Sequence, residues 1–136
     1  TALNLQRIII IQKKCIRTLV GLQPLESCRE AFKSLRILTV TSLYIQEVIM
    51  YADGENLPRT NDVHHYNTRN VHLYSLPVHR LRLYERKPSY MGMKLHNLLP
   101  PHLLSKRGKE LKIALHQWLL DRPFYTLEEY LQKTFP

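Results

Sequence analysis

Along both ends of this chain apolar residues recur every three or four positions, while prolines at 58, 77 and 88 interrupt its middle. A three-and-four repeat lays side chains along one stripe of an α-helix. Proline removes a backbone donor and clashes with the preceding turn, so no helix runs through it. The expected fold is therefore mainly α: a small helical domain with a basic extended or looped segment in the middle. Three stretches follow from this: N-terminal helices over 1–56, the basic segment over 57–88 and C-terminal helices over 89–136, forming one domain overall.

From Leu5 to Val20, the residues Leu5, Ile8, Ile9, Ile16, Leu19 and Val20 fall near one stripe, with Cys15 beside them and Arg7, Lys14 and Arg17 largely outside it. Gly21 offers a C-terminal cap and Pro24 lies beyond it. Ser27 and Glu30 have the spacing of a capping box, opening a short helix whose buried side is expected to be Ala31, Phe32 and Leu35. A third helix is expected from about Val40 to Ala52 on Val40, Leu43, Tyr44, Val48 and Tyr51, with Gly54 ending it. Val71 to Tyr84 shows only patchy alternation, which leaves room for a short hairpin. Helical pattern returns from Ser89 to Leu98 and stops at Pro100 and Pro101. It resumes from Lys109 to Leu120, with Leu111, Leu115, Trp118 and Leu119 on one side. Thr126 and Glu129 make a second capping box for a last short helix through Tyr130 and Leu131.

A 136-residue chain with 44% hydrophobic residues has material for one modest core. Its 20 Lys and Arg against 11 Asp and Glu leave a formal charge of +9, which favours anionic partners such as nucleic acid or a lipid surface. The tightest apolar run, Ile8 to Ile11, is too short to span a bilayer, so neither secretion nor membrane insertion is expected. The chain opens on Thr1 and enters helical pattern almost at once, as a piece of a longer protein would. Cys15 and Cys28 sit in helical pattern in a chain without export signals and are expected to be reduced, structural thiols.

Chemistry-bearing motifs are few. Tyr51-Ala52-Asp53-Gly54 echoes the Tyr-x-Asp-Asp of polymerase palms, whose paired carboxylates hold metal ions. The second Asp is here a Gly and the preceding pattern is helical, so Asp53 is expected to be an exposed residue at a helix end. Cys15 and Cys28 lack zinc-finger spacing, and the adjacent His64 and His65 point to opposite faces of extended chain. No nucleophile elbow or Gly-rich phosphate loop is present. The expectation is a chain without its own catalytic residues, metal or cofactor.

The middle is the most informative stretch. Arg59, Arg69, Arg80, Arg82, Arg86 and Lys87 face only Asp62 and Glu85, and four of the seven histidines (His64, His65, His72, His79) lie there. Tyr66, Tyr74, Tyr84 and Tyr90 are interleaved with these cations. Guanidinium groups neutralise phosphates, and aromatic rings stack on unpaired bases at roughly 1–3 kcal/mol each. Composition alone leaves nucleic-acid binding and a solvated basic loop with Tyr rings packed on the core equally open.

Several stretches, in order and spread along nearly the whole chain, carry a family resemblance. Leu5-Gln6-Arg7-Ile8 through Lys13-Lys14-Cys15-Ile16-Arg17, Glu26-Ser27-Cys28-Arg29, and Arg36-Ile37-Leu38-Thr39-Val40 with Leu43-Tyr44-Ile45 are three of them. His65-Tyr66-Asn67-Thr68-Arg69, Tyr90-Met91-Gly92-Met93-Lys94-Leu95-His96-Asn97-Leu98-Leu99-Pro100 and Phe124-Tyr125-Thr126-Leu127-Glu128-Glu129-Tyr130 complete the set. Together they resemble the region that follows the polymerase domain in non-LTR (LINE-type) retrotransposons, particularly jockey-like elements of arthropods. His96 stands where that pattern usually has Trp or another aromatic, and a C-terminal cysteine-rich knuckle found in some related elements is absent.

The resemblance implies a non-catalytic C-terminal module of an RNA-directed DNA polymerase, acting inside a nuclear and cytoplasmic ribonucleoprotein. Its implied partners are template RNA or target DNA and the upstream polymerase domain. Arg69, Arg80, Arg82, Arg86 and Lys87 are the candidates for phosphate contact, with Tyr66 stacking on a base and Lys13, Lys14 and Arg17 forming a second basic edge. The competing expectation is a packing module that braces the polymerase, or a captured host protein, touching no nucleic acid; it predicts helical stripes left partly exposed.

Overall fold

The computed structural model describes residues 2–59 and 73–132, and seven α-helices and one 3-10 turn account for its regular structure. The helices are α1 (Ala2–Val20), α2 (Arg29–Leu35), α3 (Val40–Gly54), α4 (Pro88–Asn97), α5 (Pro101–Leu104), α6 (Gly108–Leu120) and α7 (Leu127–Gln132). The 3-10 turn, Arg82–Arg86, precedes α4. No strand forms among the described residues; one isolated antiparallel bridge joins Arg59 and Tyr74. The hairpin expected within Val71 to Tyr84 does not form over its described part, residues 73–84, which make the single bridge at Tyr74 and enter the 3-10 turn at Arg82; Val71 and His72 lie outside the described residues. The chain is mainly helical, as the periodicity requires.

Two compact units share these helices: residues 1–44 with 116–133, and residues 45–115 with 134–136. In the first, Ile16, Cys28, Ala31 and Phe32 form a buried cluster against which Leu22, Ile37 and Tyr125 pack. A second aromatic nucleus joins Phe124 to Tyr130 edge-to-face at 5.4 Å, with Trp118 at 6.0 Å from Phe124. Polar ties fix the helix ends. Gln12 donates to Leu38 O at 2.9 Å and accepts from Val40 N–H at 2.8 Å, clamping α1 to the start of α3. Thr39 caps α3 by accepting from Ser42 N–H at 3.0 Å while donating to Phe124 O. Arg29 forks onto both Glu129 oxygens at 2.7 and 3.0 Å and lies 3.9 Å over the Tyr125 ring, binding α2 to α7.

In the second unit Ala52, Tyr74 and Met93 are buried together with Leu57 packed against them. Leu95, Leu99, Leu103, Leu111 and Leu115 add to its interior. Gly92 of α4 lies so close to α3 that a Cβ there would strike the Val48 carbonyl oxygen.

Five local expectations need correction. The Ser27–Glu30 capping box does not form: Cys28 occupies the N-cap of α2 without a side-chain cap bond. Glu26 supplies the local carboxylate instead, accepting from Gln23 N–H at 2.7 Å. On α2, Ala31 and Phe32 are buried while Leu35 is exposed. The buried side of α3 is Thr41, Ser42, Ile45, Val48, Ile49 and Ala52, with Leu43 and Tyr51 facing outward. On α1, Ile9 and Ile16 are the buried residues among those whose side chains are described; Ile8, Ile11, Leu19 and Val20 remain exposed. Cys28 is a buried free thiol, whereas Cys15 is free and exposed, so it is not a packing residue. The Thr126–Glu129 cap does form, Thr126 Oγ1 accepting from Glu129 N–H at 3.2 Å, with the reciprocal carboxylate bond made to Tyr125 N–H.

Candidate nucleic-acid interface

The basic segment is anchored at its base by backbone pairing. Ser75 N–H donates to Pro58 O at 3.0 Å, and the Arg59 guanidinium lies 4.1 Å over the Tyr74 ring while donating to its hydroxyl at 2.8 Å. The side-chain amide of Asn97 completes the anchor, accepting from Tyr74 N–H at 2.8 Å and donating to Tyr74 O at 2.9 Å. This amide substitutes for a neighbouring strand, satisfying a buried backbone segment that has none. Burial raises the Tyr74 phenol above its ordinary pKa.

Beyond the anchor, residues 76–87 fold back onto α4 through an aromatic trio. The His79 ring stacks on Tyr84 at 5.4 Å and meets the edge of Tyr90 at 4.9 Å. His79 Nε2 also bonds Glu85 at 2.9 Å. Glu85 is thus occupied by histidine and half-buried, and the neighbouring cations are left to solvent. Arg80, Arg82, Arg86 and Lys87 are all exposed; the three arginines have no partner among the described residues, and Lys87 lies 4.7 Å over the Tyr84 ring. Four cations within eight residues, none with a carboxylate partner among the described residues, repel one another and make a concentrated positive potential.

The rings behave differently. Tyr74 and Tyr90 are buried and Tyr84 is committed to the trio, so these three serve packing rather than stacking on bases. Tyr66 and Arg69 lie outside the described residues, as do His64, His65 and His72. On α1, Lys13 is half-buried over the Tyr125 ring at 4.7 Å, and Arg17 donates to Glu26 O at 2.8 Å. Lys14 alone of that trio is exposed without a side-chain partner among the described residues.

Sequence reasoning passed over a further basic cluster. Arg107, Lys109 and Lys112 are exposed at the start of α6, with Lys106 beside them donating to His102 O at 3.1 Å. Three cations in four residues were visible, but their helical setting drew attention to the leucines of the opposite stripe. In the other unit, Arg29, Lys33 and Arg122 line a cleft with Glu30, Asp121 and Pro123, their charge largely balanced within it.

Asp53 is half-buried rather than exposed: its Oδ2 accepts from Gly108 N–H at 2.9 Å, holding the start of α6. Asp53→Ala is expected to lower unfolding free energy by about 1 kcal/mol, and Asp53→Asn by only a fraction of that, measured as urea midpoints. Among the described residues no group of three or more His, Cys, Asp or Glu is placed to hold a metal ion, and no helix is long and apolar enough to cross a membrane. No family model, no curated protein and no solved structure matches this chain.

Proposed function

We propose that this chain is a non-catalytic, nucleic-acid-binding module of a larger protein, of the kind that follows the polymerase domain in non-LTR retrotransposon reverse transcriptases. It holds template RNA or target DNA by phosphate contact, within a nuclear and cytoplasmic ribonucleoprotein. The observation that carries this reading is the exposed set Arg80, Arg82, Arg86 and Lys87, whose one carboxylate neighbour in sequence, Glu85, is engaged by His79. Polyanion binding relieves their mutual repulsion and releases condensed counterions, a contribution that needs no base reading. Fluorescence anisotropy of labelled RNA and DNA across a salt series tests it. The log–log slope is expected to fall by about two to four when all four are changed to Gln, since each lost phosphate contact removes nearly one unit of slope. Absence of binding to either nucleic acid at low salt overturns the reading.

A second reading, a module that packs against another part of its parent protein, is favoured by a separate observation. Helix α1 keeps Ile8, Ile11 and Leu19 in solvent although its other side is packed. Sedimentation of the isolated chain is expected to reveal concentration-dependent self-association under this reading, and a strictly monomeric chain at high concentration speaks against it.

A further inference from the structure

Helix α1 has two apolar sides, and only one is used within its unit. Ile9 and Ile16 are buried, and Gln12 beside them is tied to Leu38 and Val40. A quarter-turn away run Ile8, Ile11, Cys15 and Leu19, with Ile11 61% and Leu19 70% exposed. Ile8, Ile11 and Cys15 have the three-then-four spacing of a left-handed helix pair, in which residues repeat every seven and knobs from one helix enter holes in the other, and Leu19 falls in the row beside that seam. With Ile8 and Cys15 on one seam row and Ile11 on the other, Arg7 and Lys14 take the flanking position on the open side, seven residues apart and both exposed. That places two cations about 10.5 Å apart along the edge of the seam.

The same helix contains no Asp or Glu. Two copies of α1 laid antiparallel would set Arg7 and Lys14 against each other. Laid parallel, they would set them against Gln12 and Leu19, so self-pairing forms no ion pair in either direction. The other two cations are withdrawn from the seam: Lys13 lies over Tyr125 and Arg17 bonds Glu26 O. Flanking charge selects partners in such pairs, and the charge here is of one sign.

We infer that the outer face of α1 docks an amphipathic helix of acidic character, with an apolar seam on Ile8, Ile11 and Cys15, Leu19 beside it, and carboxylates seven residues apart against Arg7 and Lys14. This rests on the second reading, that α1 packs against a protein partner, and adds the chemistry of that partner. The probe is a fluorescein-labelled synthetic helix of three heptads, with Ile and Leu on the seam and Glu in the flanking positions. A matched peptide carries Lys in place of Glu, and anisotropy is read for each.

The wild-type chain is expected to bind the Glu peptide roughly tenfold more tightly than the Lys peptide, because two contacts swing from attraction to repulsion. In Arg7→Glu/Lys14→Glu the preference is expected to reverse, which no loss of folding imitates. Ile11→Ser is expected to weaken both peptides, with circular dichroism verifying that helix content is retained. If both peptides bind the wild type equally, the packing reading stands and the acidic partner is wrong. If neither binds, or only phosphatidylserine vesicles retain the chain, both are wrong.

Discussion

The wild-type chain is expected to lose on the order of 2–3 kcal/mol of unfolding free energy between pH 7.5 and pH 4.5 through a single histidine, and His96→Phe is expected to abolish that loss. His96 is fully buried on α4, and neither ring nitrogen has a hydrogen-bond partner. Its ring is held edge-on to Tyr74 at 4.8 Å. Burial, with a lesser contribution from the Arg59 charge, lowers its pKa from 6.5 to about 4. The fold therefore tolerates only the neutral ring. Below pH 6.5 the unfolded chain takes up a proton that the folded chain refuses, so stability falls with pH until the folded ring itself titrates near 4, where the fall levels off. Phe keeps the edge-on ring contact, cannot titrate, and removes two nitrogens whose unsatisfied burial costs on the order of 1–3 kcal/mol. At pH 7.5 the variant is accordingly expected to be at least as stable as the wild type. Urea unfolding at several pH values, read as the difference between the two chains, cancels the carboxylates that titrate in both. Equal pH dependence in both chains defeats the argument.

His96 also shows where a sequence speaks and where it does not. The helices were legible because proline and glycine punctuate them: Gly21 takes a positive φ of 72° just past α1, and Pro88 and Pro101 sit at the first positions of α4 and α5. α5 was missed because Pro100-Pro101 reads as a stop, yet the second proline is well suited to a first helical position. The faces were less legible. On α3 two sets of three-and-four spacing overlap, and the sequence favoured the one containing Leu43 and Tyr51. The structure buries Ile45, Ile49 and Ala52, because Thr41 and Ser42 have partners inside the fold: Thr41 donates to Tyr125 O at 2.9 Å, and the Ser42 hydroxyl bonds that of Thr39 at 3.0 Å. The partner of Thr41 lies more than eighty residues away and leaves no local trace. Of the candidate interface, the cations could be read directly, since charge needs no partner to be seen. The assignment of Tyr74, Tyr84 and Tyr90 to packing could not, because only the fold brings His79 and Asn97 to them.

Gly92→Ala, a small change in size, is expected to destabilise the chain severely. In an ordinary exposed helix interior this substitution stabilises by roughly 1 kcal/mol, since alanine loses less backbone freedom on folding. At Gly92 the sign reverses. A Cβ would strike the Val48 carbonyl oxygen and come within 2.9 Å of the Ala52 Cβ. Neither can swing aside: one is backbone in the middle of α3, and the other is the first atom of a side chain that is itself fully buried. Relief requires α4 to move bodily from α3, and α4 also carries Tyr90, Met93 and Leu95 into the same interior. A loss of about 3 kcal/mol or more is expected, at the upper end of overpacking penalties. Ala52→Gly removes one of the two obstructing groups but leaves the carbonyl, so Gly92→Ala/Ala52→Gly is expected to recover only a minor part. Urea midpoints of the two single variants and the double variant close a cycle that separates the contacts. Full recovery in the double variant would place the obstruction on the Ala52 methyl alone, whereas the argument from backbone approach requires that most of the loss persist.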